Sequence, residues 1–139
     1  MLKIPLIYIN QKYKTTYAMN TNIQHYIAST GNMEWKLLTE KGVNTSGIFV
    51  KILRFDEQQQ RPPSILLKFE PGAKYPYHNH PGGEEIFVMQ GTCMVNDTLL
   101  NAGDYLYTPP GFKHAVQTDT GCELLFIVPQ EVEILEKIT

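Results

Sequence analysis

The sequence predicts an all-β domain, an antiparallel barrel or sandwich, and three observations lead there. From about Trp35 onward, short apolar runs rich in β-branched and aromatic residues are punctuated by Gly and Pro. The chain carries 8 tyrosines, 9 prolines and 10 glycines, a composition suited to strands and turns rather than long helices. No helical stretch separates the runs, so neighbouring strands must pair antiparallel.

The elements follow in order. Gly47 to Phe55 reads as a strand, and Asp56 to Pro63 as a polar loop closed by proline. Ser64 to Glu70 is the next strand, stopped by Pro71-Gly72. A third runs through Glu85 to Gln90 and ends at Gly91. Thr92–Val95 and Thr98–Leu100 flank Asn96-Asp97, a pair able to take the positive φ angles of a tight hairpin. Asp104–Thr108 follows Ala102-Gly103 and is terminated by Pro109-Pro110-Gly111. His114–Gln117 and Glu123–Val128 complete the set, and Glu131–Lys137 reads as a short helix or a last strand.

At 139 residues this is one domain. A core of that size buries roughly two-thirds of the unfolded surface and folds without disulfide or metal staples. Residues 1–18 read as a poorly organised extension, with Met19 as an alternative start, and 19–139 as the domain. The net charge of −2, with no Lys/Arg cluster, argues against a nucleic-acid partner. Cys93 and Cys122 form no CxxC and read as two buried thiols in a reducing compartment. The first apolar stretch is broken by Pro5, and no window reaches the roughly 20 apolar residues of a membrane helix. The expected location is cytoplasmic.

The chemistry is concentrated in three histidines. His78 and His80 form an HxH pair, and residues two apart on a strand share a face with Cα atoms about 6.5–7 Å apart. Two imidazoles so placed can converge on one ion at about 2.0–2.1 Å each. Glu84 has the same parity and follows the Pro81-Gly82-Gly83 turn, with Glu85 as a rival ligand. His114, after the Pro-Pro-Gly turn, supplies a fourth ligand if the barrel brings it opposite. An HxH alone is common on wet strand faces; the carboxylate, the glycines and the distant histidine set this one apart. Three imidazoles and a carboxylate suit one divalent ion, Fe, Mn, Ni, Co or Zn. His25 lacks such a context and reads as a surface or packing residue, as do Tyr105 and Tyr107. Tyr75 and Tyr77, just before the ligands, can line a pocket mouth; with Glu85 they are weak choices for a general base. There is no GxSxG, no phosphate-binding GxxxxGK[ST] and no GxGxxG. Glu84 and Glu85, as strand neighbours, face opposite ways and form no acid/base pair.

Gly72-x5-His78-x-His80-x3-Glu84-x6-Gly91 resembles the first motif of the cupin superfamily, and Gly103-x5-Pro109-x-Gly111-x2-His114 resembles the second. The likeness extends over about 64–128. It implies a single-domain cupin: a double-stranded β-helix, jelly-roll-like, of six to eight strands with extra N-terminal strands. It makes His78, His80, Glu84 and His114 the metal ligands and favours Glu84 over Glu85. Thr118 stands in place of the motif's usual Asn, which puts an outer polar contact in question. Only 11 residues separate Gly91 from Gly103, so a tight hairpin replaces any insertion.

His-Pro-Gly-Gly-Glu-Glu further resembles the cupin domain of zinc-binding anti-sigma factors and their stand-alone relatives, some of them dioxygenases that cleave diketones or hydroxylated aryl ketones. The chain has no room for the helical zinc domain of the anti-sigma proteins, so sigma-factor binding is not implied. Two functions stay open. One is a metal-dependent dioxygenase, or a related lyase or isomerase, acting on a small oxygenated organic molecule. The other is a non-catalytic small-ligand-binding or sensor cupin with a zinc site. The resemblance also implies a homodimer built through residues 20–60.

Overall fold

A computed structural model gives the fold, and residues 19–136 are described. The expected extension over 1–18 lies outside the described residues. Among the described residues, ten strands follow two short 3-10 turns at Ile23–Tyr26 and Thr30–Asn32. They are β1 (Lys36–Leu37), β2 (Ile48–Asp56), β3 (Arg61–Phe69), β4 (Lys74–Asn79) and β5 (Glu84–Val95). Then come β6 (Thr98–Asn101), β7 (Tyr105–Thr108), β8 (Lys113–Gln117), β9 (Cys122–Ile127) and β10 (Glu133–Ile134). The count exceeds the expected six to eight in part because β1 and β10 are two-residue strands.

All pairings are antiparallel. One curled sheet runs β1-β2-β3-β9-β5-β7, and the other β6-β5-β8-β4-β10. This is the double-stranded β-helix that the motifs imply. The fifth strand belongs to both sheets: Glu84–Gly91 pairs with β7 and β9, Thr92–Val95 with β6 and β8. The expected strand end at Gly91 is therefore corrected. The chain crosses there from one sheet to the other without stopping. Gly91 makes the crossing with φ +74, and a Cβ at this position would collide with the Gly121 carbonyl.

Period-two alternation builds the core. Ile86 and Val88 of β5 and Leu124 and Phe126 of β9 point inward, while Phe87 and Met89 are exposed. Each buried aliphatic side chain of this kind contributes about 2 kcal/mol. The third strand starts at Arg61, earlier than expected, and takes in Pro62 and Pro63. Proline is tolerated there because Pro63 needs only its carbonyl, which accepts the Val128 N–H at 2.8 Å. The expected hairpin forms, with Asn96 at φ 50. Of the two alternatives for the C-terminal stretch, the strand is the one formed.

The segment before β1 lies over the outer face of the first sheet. Lys51 and Lys68 sit 4.5 and 5.0 Å from the centre of the Trp35 ring, and Lys51 Nζ donates to the Thr30 carbonyl at 2.8 Å. Cys93 and Cys122 are buried free thiols. Among the described residues, no helix is long and apolar enough to cross a membrane.

Candidate metal centre

The site is assembled by register. His78 on β4 stands directly opposite His114 on β8. A break in register between Tyr75 and His78, where β4 carries one extra residue, sets which β4 residues face inward. His80 lies just past the end of β4, and its carbonyl accepts the N–H of Gly83 at 3.0 Å and of Gly111 at 3.2 Å. One backbone oxygen thus ties the glycine turns of both motifs together. Gly83 holds φ +77 with no room for a side chain against the Thr108 carbonyl and Pro110, and it delivers Glu84 as the first residue of β5.

His78, His80, Glu84 and His114 are all buried, and their ligating atoms lie within 4.8 Å of one another. The Nε2 atoms of His78 and His80 are 2.9 Å apart. His80 Nε2 is 2.7 Å from Glu84 Oε2, and His114 Nε2 is 3.1 Å from Glu84 Oε1. Glu85, the rival ligand, faces the opposite way and accepts a hydrogen bond from the Tyr105 hydroxyl at 2.7 Å.

The donor set fits a divalent ion. His78 Nδ1 donates to the Pro76 carbonyl at 2.6 Å, which leaves Nε2 as a bare lone pair aimed into the cluster. His114 Nε2 and Glu84 Oε1 are close, yet neither has a hydrogen-bond partner. Buried polar atoms left this way cost about 1–3 kcal/mol each, and a cation between them removes the cost. Nitrogens bound at about 2.1 Å on adjacent corners of an octahedron lie about 3 Å apart, close to the His78–His80 separation.

Electrostatics agree with a neutral His78 beside a charged Glu84 carboxylate. Burial lowers His78 from its ordinary 6.5 to about 4, against the opposing effect of its Pro76 hydrogen bond. Burial alone would raise Glu84; its close contacts with His114 and His80 outweigh that and hold it below the usual 4.5.

The cluster opens on a small cavity of about 80 Å3, with His78, His80 and Glu84 in its wall. The rest of the wall is apolar, from Leu38, Ile65, Leu67, Phe69, Val116, Phe126, Val128 and Val132, apart from Tyr75 and Glu40. That volume is below the roughly 300–1,000 Å3 of typical ligand pockets, so the space suits only a ligand of a few atoms. Tyr75 lines the cavity as expected, whereas Tyr77 does not. Its carbonyl instead accepts the Leu135 N–H at 2.9 Å beside β10. As candidate bases, Tyr77 and Glu85 are thereby placed away from the cluster. Tyr105, Tyr107 and His25 are exposed, in keeping with an ordinary surface role. Thr118 is buried but turned to the backbone, donating to the Thr92 carbonyl at 2.6 Å and accepting the Gly121 N–H at 2.9 Å. It supports a turn and makes no contact with the cluster.

The sequence reading missed Glu40. It lies in a polar Thr-Glu-Lys-Gly stretch that looks like any solvent turn, and only the tertiary fold brings it to Tyr75.

The sequence matches the family model of the ChrR cupin-like domain over residues 19–133. No curated protein matches the chain. Among solved structures, the fold is similar to that of a candidate acetylacetone dioxygenase from Methylibium petroleiphilum (17% identity, 87% of this chain and 90% of that one, TM-score 0.71). It is similar to a cupin-like protein from Thermotoga maritima (23% identity, 78% and 90%, TM-score 0.64). A third is an acetylacetone dioxygenase from Acinetobacter johnsonii (15% identity, 94% and 90%, TM-score 0.62). At such identities these likenesses show the fold. The family match covers most of the chain and both motifs, and the chain belongs to the ChrR cupin-like family.

Proposed function

We propose that the chain is a metal-dependent dioxygenase, or a related lyase or isomerase, acting on a small oxygenated organic molecule of diketone or hydroxyketone type. One observation carries the reading: three imidazoles and a carboxylate converge beside a small apolar cavity, with His78, His80 and Glu84 in its wall. A divalent ion held by His78, His80, Glu84 and His114 would polarise a ligand oxygen as a Lewis acid and, if iron or manganese, add redox capacity. The chain supplies the rest. His78 is oriented by the Pro76 carbonyl, so its lone pair needs no reorganisation on binding. Leu67, Phe69 and Phe126 pack around an apolar ligand body and keep water away from the reacting end. The dioxygenases of similar fold support this reading, and so does the resemblance of the His-Pro-Gly-Gly-Glu-Glu stretch.

The test is metal analysis of protein purified without added metal, followed by O2 uptake with acetylacetone and with hydroxylated aryl ketones. Iron or manganese with substrate-dependent O2 uptake supports the enzyme. Stoichiometric zinc with no turnover supports the second reading, a non-catalytic ligand-binding or sensor cupin with a zinc site.

A further inference from the structure

Glu40 enters the cavity from the segment between β1 and β2, far in sequence from every metal-ligand candidate. Its position is fixed by the backbone around it. The Leu38 N–H donates to the Ile48 carbonyl at 2.9 Å, and the Val43 N–H donates to the Glu40 carbonyl at 3.2 Å. The Thr45 hydroxyl donates to the Leu38 carbonyl. The Glu40 carboxylate meets the Tyr75 hydroxyl, with both oxygens at 2.8 Å. Tyr75 in turn sets its ring edge-to-face against His78, with centroids 4.9 Å apart and planes at 82°. The pair therefore stands beside the cluster.

Chemistry gives this carboxylate a role. Apart from Tyr75 and the cluster itself, it is the polar group in an otherwise aliphatic and aromatic wall. It also lines the wider groove outside, which shares Leu38, Ile65, Val128 and Val132 with the cavity, so it sits where the two meet. A carboxylate has about four acceptor positions, and one hydroxyl hydrogen fills one of them. The remainder stay available to a ligand; Lys41 and Arg61 line the outer groove but not the cavity, so a second negative charge inside would face Glu40 and Glu84 with no Lys or Arg in the wall.

We propose that Glu40, held by Tyr75, is the specificity-determining residue of the cavity: it accepts a hydrogen bond from a hydroxyl or enol of a neutral, apolar-bodied ligand and repels ligands carrying a carboxylate. The inference rests on the cavity being the ligand site of the proposed function, and its test reads binding rather than turnover. Two probes of similar size are titrated against the metal-loaded full chain, neutral acetylacetone and anionic acetoacetate. In Glu40→Gln, the acetylacetone dissociation constant rises about tenfold, the loss of one charge-assisted hydrogen bond. The acetoacetate constant falls in the same variant. Glu40→Asp, which keeps the charge, retains the wild-type order of preference, as Tyr75→Phe does with weaker acetylacetone binding. Metal content, measured on each variant, stays at the wild-type level.

Opposite movements of the two probes are what a merely structural Glu40 cannot produce, because general loosening weakens both. If both constants move together in Glu40→Gln, or neither moves, with metal retained, the inference is overturned. Should Glu40→Gln fail to fold, the comparison is made on Glu40→Asp and Tyr75→Phe, where a lost preference overturns it equally. Absence of O2 uptake with the selectivity intact would remove the dioxygenase and leave this assignment standing.

Discussion

His78 and His114 face each other as direct cross-strand partners on β4 and β8, with ring centroids 4.6 Å apart and planes at 81°. A strand register thus brings together two residues that the sequence holds 36 positions apart. The packing is tight, but it supplies no hydrogen-bond partner for His114 Nε2. Removing either ring should abolish metal binding and leave the barrel folded. His114→Ala is expected to hold less than about a tenth of the wild-type metal, since losing a ligand exceeds the 10–100-fold cost of losing an outer partner. Its metal-free melting temperature should stay within about 8 °C of the metal-free wild type. Metal analysis and thermal melts check both.

The neighbouring carboxylates separate cleanly. Glu84→Gln is expected to lower metal affinity at least about 100-fold, because it removes the cluster's charged oxygen donor. Glu85→Gln should change it less than about twofold, because Glu85 points away, toward Tyr105. Competitive titration with a chelator measures the difference.

The metal-free protein should lose stability as pH falls, and the sign follows from His78. Its folded value of about 4 lies below the ordinary 6.5. Between those values the unfolded chain takes up a proton that the folded chain refuses, so acid favours unfolding. The contribution is full above about pH 6.5 and is lost as pH falls to about 4, a change on the order of 3 kcal/mol. Glu84, held below 4.5, adds loss of the same sign at still lower pH. Denaturant melts from pH 7.5 to 4.5 test this; a His78→Gln variant should show a shallower slope. In the metal-loaded protein, protons compete with the ion, so release is expected as pH falls toward about 4, where the folded His78 takes up a proton.

Gly91 should be intolerant of any side chain. Gly91→Ala meets the Gly121 carbonyl and Cys122 Cα where β5 changes sheets, and is expected to cost about 3 kcal/mol or prevent folding. Gly42→Ala, at the same φ of +74 but with nothing within 4 Å, should cost only about 1 kcal/mol. Chemical denaturation compares the two.

Much of this was legible in the sequence, for physical reasons that differ by residue. The four cluster residues announce themselves because their spacing is local to two turns, Pro81-Gly82-Gly83 and Pro109-Pro110-Gly111. The strands of the core read correctly where burial enforces alternation, as in Glu123–Val128. The reading failed where pairing overrides punctuation. Gly91 looks like a strand end and is a crossing point, and Pro62-Pro63 looks like a loop and begins β3. Lys74–Asn79 carries Pro76 and several polar residues, and its register break between Tyr75 and His78 has no local signature. Glu40 was invisible because nothing in its neighbours distinguishes a solvated turn from a cavity wall. Its meaning comes from Tyr75, 35 residues away.

The most direct measurement is anomalous scattering at metal absorption edges from crystals of the full chain grown from protein purified without chelators. A single strong peak bonded to the Nε2 atoms of His78, His80 and His114 and to a Glu84 oxygen is the expected result. Full-length protein with intact β4, β5 and β8 that takes up no divalent ion at those atoms, even from a metal-supplemented solution, contradicts the account.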